Sequence, residues 1–111
     1  MAERKIIKAK EIIKEYFKLN NLNLERIVLF GSHSTGRSNR HSDIDLAVIS
    51  PDFRNKNIFQ KAKITGALDW ELVKKTDLPF DILYYSDDEW NNSSSLIVFE
   101  AKKNGKNIFG S

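Results

Sequence analysis

Two aspartates separated by a single residue, Asp43 and Asp45, open the apolar run Ile44-Asp45-Leu46-Ala47-Val48-Ile49. In an extended strand, residues i and i+2 share a face, so both carboxylates point the same way, roughly 6 to 7 Å apart at the backbone. That separation suits bridging or flanking divalent ions, and two ions about 3.5 to 4 Å apart can stabilise both the attacking and the leaving oxygen of an in-line phosphoryl displacement. Magnesium fits such donors, because it takes carboxylate and phosphate oxygens and keeps several waters. The chain has no cysteine, so disulfides and thiolate metal sites are excluded, and its two histidines, His33 and His41, lack the spacing of a ligand pair. An aspartate pair alone proves little, and its surroundings decide its meaning.

Upstream lies Phe30-Gly31-Ser32. A glycine at a strand end lets backbone approach a phosphate closely, and a serine adds a hydroxyl and an amide donor. The polar stretch that follows supplies Arg37 and Arg40, whose forked donors neutralise phosphate oxygens, and Gly36 frees a second position from side-chain bulk. Downstream, Phe80-Asp81-Ile82-Leu83-Tyr84-Tyr85 alternates so that Phe80, Ile82 and Tyr84 share one face and Asp81 takes the other. Phosphate donors and three carboxylates are thus available to one ligand.

The elements that must hold these residues follow from periodicity. From Glu3 to Leu19 apolar residues recur at helical spacing (Ile6, Ala9, Ile13, Tyr16, Phe17), and Asn20-Asn21 ends the pattern. Ile27 to Phe30 is a short strand buried on both sides. Residues 32–41 form a contact loop, with a short helical turn expected over Ser34 to Arg37. A second strand runs from Asp43 to Ile49, with Ile44, Leu46 and Val48 opposite the aspartates, and Ser50-Pro51-Asp52 stops it. Ile58 to Val73 is a second long helix whose apolar stripe is untidy and whose middle is weakened by Thr65-Gly66. The third strand is Phe80 to Tyr85. A last helix, capped by one of Ser93, Ser94 or Ser95, carries Leu96, Val98, Phe99 and Ala101 and stops near Asn104-Gly105, before the apolar pair Ile108-Phe109. This order predicts a small α/β domain, its short sheet covered by helices.

At 111 residues and 41% hydrophobic content, one domain burying one core over residues 1–111 is expected. The charged fraction of 30% mixes both signs, unlike a disordered segment. No secretory signal pattern or membrane-length apolar window is present, which makes a cytoplasmic location the simplest reading. The formal charge of +3 comes mostly from the first helix (Arg4, Lys5, Lys8, Lys10, Lys14, Lys18), and a solvated helix face explains it without nucleic-acid binding.

Gly31-Ser32, ten residues, then Asp43-Ile44-Asp45-Leu46 resembles the signature of the DNA polymerase β-like nucleotidyltransferase superfamily. The fuller string from Phe30 to Gly36, ending in Ser42-Asp43-Ile44-Asp45-Leu46, is most similar to its minimal nucleotidyltransferase branch. The resemblance spans nearly the whole chain. It implies a mixed sheet of three to four strands flanked by about four helices. It implies that Asp43 and Asp45 bind two catalytic Mg2+ ions, that Asp81 completes the metal site and is the candidate general base, that Gly31 and Ser32 hold a nucleoside triphosphate, and that Ser42 helps set the aspartates. Many relatives carry arginine directly after the Gly-Ser pair, whereas this chain has His33. The resemblance further implies transfer of a nucleoside monophosphate, AMP from ATP, to a hydroxyl. Minimal members are often encoded beside a helical HEPN toxin and act as its antitoxin by adenylylating a tyrosine of it. The alternative is an antitoxin that neutralises its partner by binding alone.

Overall fold

The structure is a computed structural model that describes residues 2–31 and 44–110. Its elements, in chain order, are helix α1 (Ala2–Leu19), strand β1 (Arg26–Phe30), strand β2 (Ile44–Ile49), a 3-10 turn (Pro51–Phe53), helix α2 (Ile58–Thr76), strand β3 (Phe80–Tyr85), helix α3 (Asp87–Asn92), helix α4 (Leu96–Asn104) and strand β4 (Lys106–Phe109). The helical turn expected over Ser34 to Arg37 lies outside the described residues, as do Ser32, His33, Gly36, Arg40, His41, Ser42 and Asp43.

The four strands form one mixed sheet in the order β3-β2-β1-β4. β1 runs antiparallel to both β2 and β4, and β2 runs parallel to β3. Alternation sends side chains of one strand to two separate apolar layers. On one face Ile27, Leu29, Ile44, Leu46 and Val48 meet Ala9, Ile13 and Phe17 of α1, Leu68 and Leu72 of α2, and Phe53 of the 3-10 turn. On the other, Val28, Ala47 and Ile49 meet Trp90 of α3 with Val98 and Ala101 of α4. Full burial of each large side chain contributes about 1.5 to 3 kcal/mol, so these two layers clamp the sheet and fix its register.

Local chemistry sets the element ends. α1 stops at Asn20-Asn21 as expected: Asn21 takes φ 55°, and the Leu22 amide donates to the Phe17 carbonyl at 2.8 Å, closing the helix with a left-handed residue. β2 ends at Ser50, whose side chain accepts from the Asp52 amide and caps the turn that buries Phe53. α2 begins at a reciprocal capping box between Asn57 and Gln60 and runs to Thr76, three residues past Val73, before Asp77 leaves it at φ 57°. Ser95 caps α4. α3 has no counterpart in the sequence-based order, although Ser86 and Glu89 form a capping box around it that the Ser-x-x-Glu spelling announces. No helix among the described residues is long and apolar enough to cross a membrane.

Candidate active site

The carboxyl end of β1 and the amino ends of β2 and β3 meet at one end of the sheet. Phe30 pairs with Asp45 across the antiparallel ladder, and Asp45 pairs with Asp81 across the parallel one. The expected facing holds: Phe80, Ile82 and Tyr84 join the α1 and α2 layer, and Asp81 stands in register with Asp45. Neighbouring strands lie about 4.8 Å apart, so the two carboxylates are side by side on one face. Asp45 is half-buried and Asp81 exposed.

Gly31 turns the chain out of β1 at φ 74°, and a Cβ built on it would strike Oδ2 of Asp45. Its missing side chain is therefore a requirement of two kinds: a left-handed backbone, and room for a carboxylate pressed against the turn. Asp81 has no hydrogen bond or ion pair with any described residue, so its oxygens are open to an added cation. Of the residues the sequence singled out, the structure brings together Gly31, Asp45 and Asp81. Asp43, Ser32, Arg37 and Ser42 lie outside the described residues. Two adjacent carboxylates, the exposed one without a bond to any described residue, offer the oxygen donors that a hard divalent ion such as magnesium takes.

Two further polar groups lie along the outer edge of β3 toward its carboxyl end, the end opposite Asp45 and Asp81. Lys61 of α2 donates to the Tyr84 carbonyl at 3.0 Å and to Glu89 at 2.7 Å, covering part of an edge that would otherwise stay open to strand pairing. The Tyr84 hydroxyl donates to Asp69 at 2.5 Å, and burial pushes the tyrosine pKa upward. Desolvation also raises the Asp69 carboxyl, and the bond from Tyr84 partly offsets that rise. These groups line a cavity of about 460 Å³ with Thr65, Ile82 and Tyr85, and it contains neither Asp45 nor Asp81. Periodicity could not expose this cluster, since its members come from three elements with ordinary helix and strand spacing.

A mixed four-stranded sheet flanked by helices, with an aspartate of the second strand beside one of the third, is the polymerase β-like nucleotidyltransferase fold. Residues 6–106 match the model of the nucleotidyltransferase domain family, and the chain belongs to that family. Three similar solved structures bear out the architecture. A toxin-antitoxin structure with AMP-PNP shares 27% identity over 100% of this chain and 75% of that one, at a TM-score of 0.65. A tri-AMPylated Shewanella oneidensis HEPN toxin in complex with MNT antitoxin gives 23% identity over 96% and 73%, at 0.60. The toxin-antitoxin pair MntA-HepT gives 23% over 95% and 72%, at 0.59. No curated protein matches the sequence.

Proposed function

We propose that this nucleotidyltransferase moves AMP from ATP to a hydroxyl of a helical HEPN-type toxin, a tyrosine, and thereby serves as its antitoxin. The observation that carries the reading is the in-register pairing of Asp45 with Asp81 at the sheet end where Gly31 turns. Asp43, Asp45 and Asp81 would hold divalent ions, which when bound neutralise triphosphate oxygens and the charge that builds on the leaving pyrophosphate. Gly31 and Ser32 would cradle the triphosphate, Arg37 would pair with its oxygens, and Ser42 would brace the aspartates. The acceptor oxygen forms a bond to the α-phosphorus as the bond to pyrophosphate breaks, and the acceptor's proton passes to Asp81. An exposed carboxylate with no bond to any described residue is suited to that proton transfer. The AMP-PNP present in one similar structure and the AMPylated HEPN toxin in another support the choice of nucleotide and of partner.

The test is incubation with Mg2+, ATP labelled at the α-phosphate and the helical protein encoded beside this one, next to an Asp43→Ala/Asp45→Ala variant. Label should move to a tyrosine of the partner with wild type alone. If the variant neutralises the partner as well as wild type does and no label moves, the protein acts by binding only.

A further inference from the structure

The untidy apolar pattern of α2 has a structural cause. Its inward face buries Thr65, Leu68, Leu72 and Thr76. The opposite face carries Phe59, Lys63, Gly66, Trp70 and Val73, spaced 4-3-4-3, with Ala62 and Ala67 beside them. That spacing keeps one seam over about 21 Å of helix. Phe59 is 78% exposed, Trp70 64% and Val73 50%. Nothing lies within 4 Å of a Cβ built on Gly66, so the seam has a notch between two aromatic rings.

We propose that this face of α2 is a docking surface for an acidic amphipathic helix of a partner protein. The charges select that occupant. Lys63 and Lys74 are the ionisable residues on the face, and Lys74 stands 4.5 Å over the Trp70 ring. The nearest carboxylates are turned to the flanks, Asp69 toward Tyr84 and Glu71 toward Lys75. A helix whose apolar knob enters the Gly66 notch and whose carboxylates meet Lys63 and Lys74 satisfies both features. A second copy of the chain does not, because two such faces would set lysines against lysines with no carboxylate between them. A lipid surface would use the lysines but leaves the notch unfilled. The surface lies away from the Asp45 and Asp81 pair, so a partner held there leaves the transfer site open. The proposal rests on the partner reading above in one respect, that the helix belongs to the toxin.

The experiment measures affinity for the co-encoded helical protein by biolayer interferometry, for wild type, Gly66→Leu, Trp70→Ala and Lys63→Glu, with Tm and affinity for Mg2+ with AMP-PNP read on each. Gly66→Leu is the decisive variant, because replacing an exposed mid-helix glycine raises Tm while filling the notch. It should bind the partner at least tenfold more weakly, as should Trp70→Ala and Lys63→Glu, with nucleotide affinity unchanged in all three. Wild-type affinity in the three variants overturns the surface and leaves the partner reading standing. Absence of binding by wild type overturns both. Concentration-dependent dimers that Trp70→Glu abolishes would assign the face to a second copy. Co-sedimentation with phosphatidylserine vesicles in place of partner binding would assign it to a membrane.

Discussion

Replacing Gly31 with alanine should separate the two demands that the turn after β1 places on its residue. The first is backbone: at φ 74° an L side chain costs about 1 to 2 kcal/mol, or roughly 5 to 15 °C in Tm for a chain of this size. The second is space, since the new Cβ meets Oδ2 of Asp45 and the carboxylate must swing away. A displacement of about 1 Å in a group that positions reactants lowers turnover by about 100-fold. Gly31→Asn distinguishes the two effects, because asparagine tolerates the left-handed region better than alanine yet brings the same Cβ. Thermal melts and transfer of labelled AMP, measured on both variants, give the readout. Alanine should lose stability and activity together, whereas asparagine should recover much of the Tm and little of the activity. Asparagine at wild-type activity would refute the role given to the Gly31 and Asp45 contact. Alanine that loses its full Tm increment yet keeps activity would remove Asp45 from the reacting centre.

Asp81→Asn should raise Tm in the absence of metal by the equivalent of about 0.2 to 1 kcal/mol, because like charges in register destabilise a strand pair. It should also lower AMP transfer by about 100- to 10,000-fold and abolish the Mg2+-induced rise in Tm; an undiminished Mg2+ response would place the ion elsewhere. Phe53→Ala should cost about 3 to 5 kcal/mol in urea unfolding, since the ring is fully buried edge-on against Phe17 and Tyr84; a loss under 1 kcal/mol would show that the 3-10 turn can collapse into the space. Arg54 hydrogen-bonds Asp87 and holds its carboxyl below the ordinary aspartate range. A lowered folded-state pKa gives stability that is present above the unfolded value of about 3.9 and is lost as pH falls through the folded one. Arg54→Gln should therefore melt below wild type at pH 7 and with wild type near pH 2, and a gap that persists in acid would deny the pairing.

Much of the fold could be read from the sequence because its apolar residues obey one period at a time. Ile44, Leu46 and Val48 alternate against Asp45, and Phe80, Ile82 and Tyr84 against Asp81, so the facing of both aspartates was legible before any pairing was known. Their register was not, since strand order and the parallel pairing of β2 with β3 depend on how α2 crosses between them. β4 was visible only as the pair Ile108-Phe109, because Lys106 and Asn107 are exposed on a short edge strand. α3 escaped a reading based on periodicity because it buries a single side chain, Trp90. α4 misled in the opposite sense: of its four apolar residues named from sequence, Val98 and Ala101 are buried while Leu96 and Phe99 face out. The close fit of Gly31 to Asp45 was half legible, as a glycine suited to a phosphate; that its hydrogen also makes room for a carboxylate 14 positions away needed coordinates.

The same pairing on which the proposed site rests also weakens the sheet locally. At Asp45 and Asp81 two anions occupy adjacent, in-register positions where a pair of β-branched residues would stabilise the ladder, and the rest of the fold offsets this by position. Two and four residues further along β2 on the same face, Ala47 and Ile49 are buried under α3 and α4, and Leu46 and Val48 are buried on the other face. The strands are therefore held by apolar packing around the aspartates, from Ile44 and Phe80 at their own end to the layers further along. Any cation that bridges the pair removes the repulsion, and that released free energy adds to its binding. On the proposed function, the arrangement would favour the loaded state over the empty one, because a metal would offset both the paired carboxylates and the phosphate charge beside them.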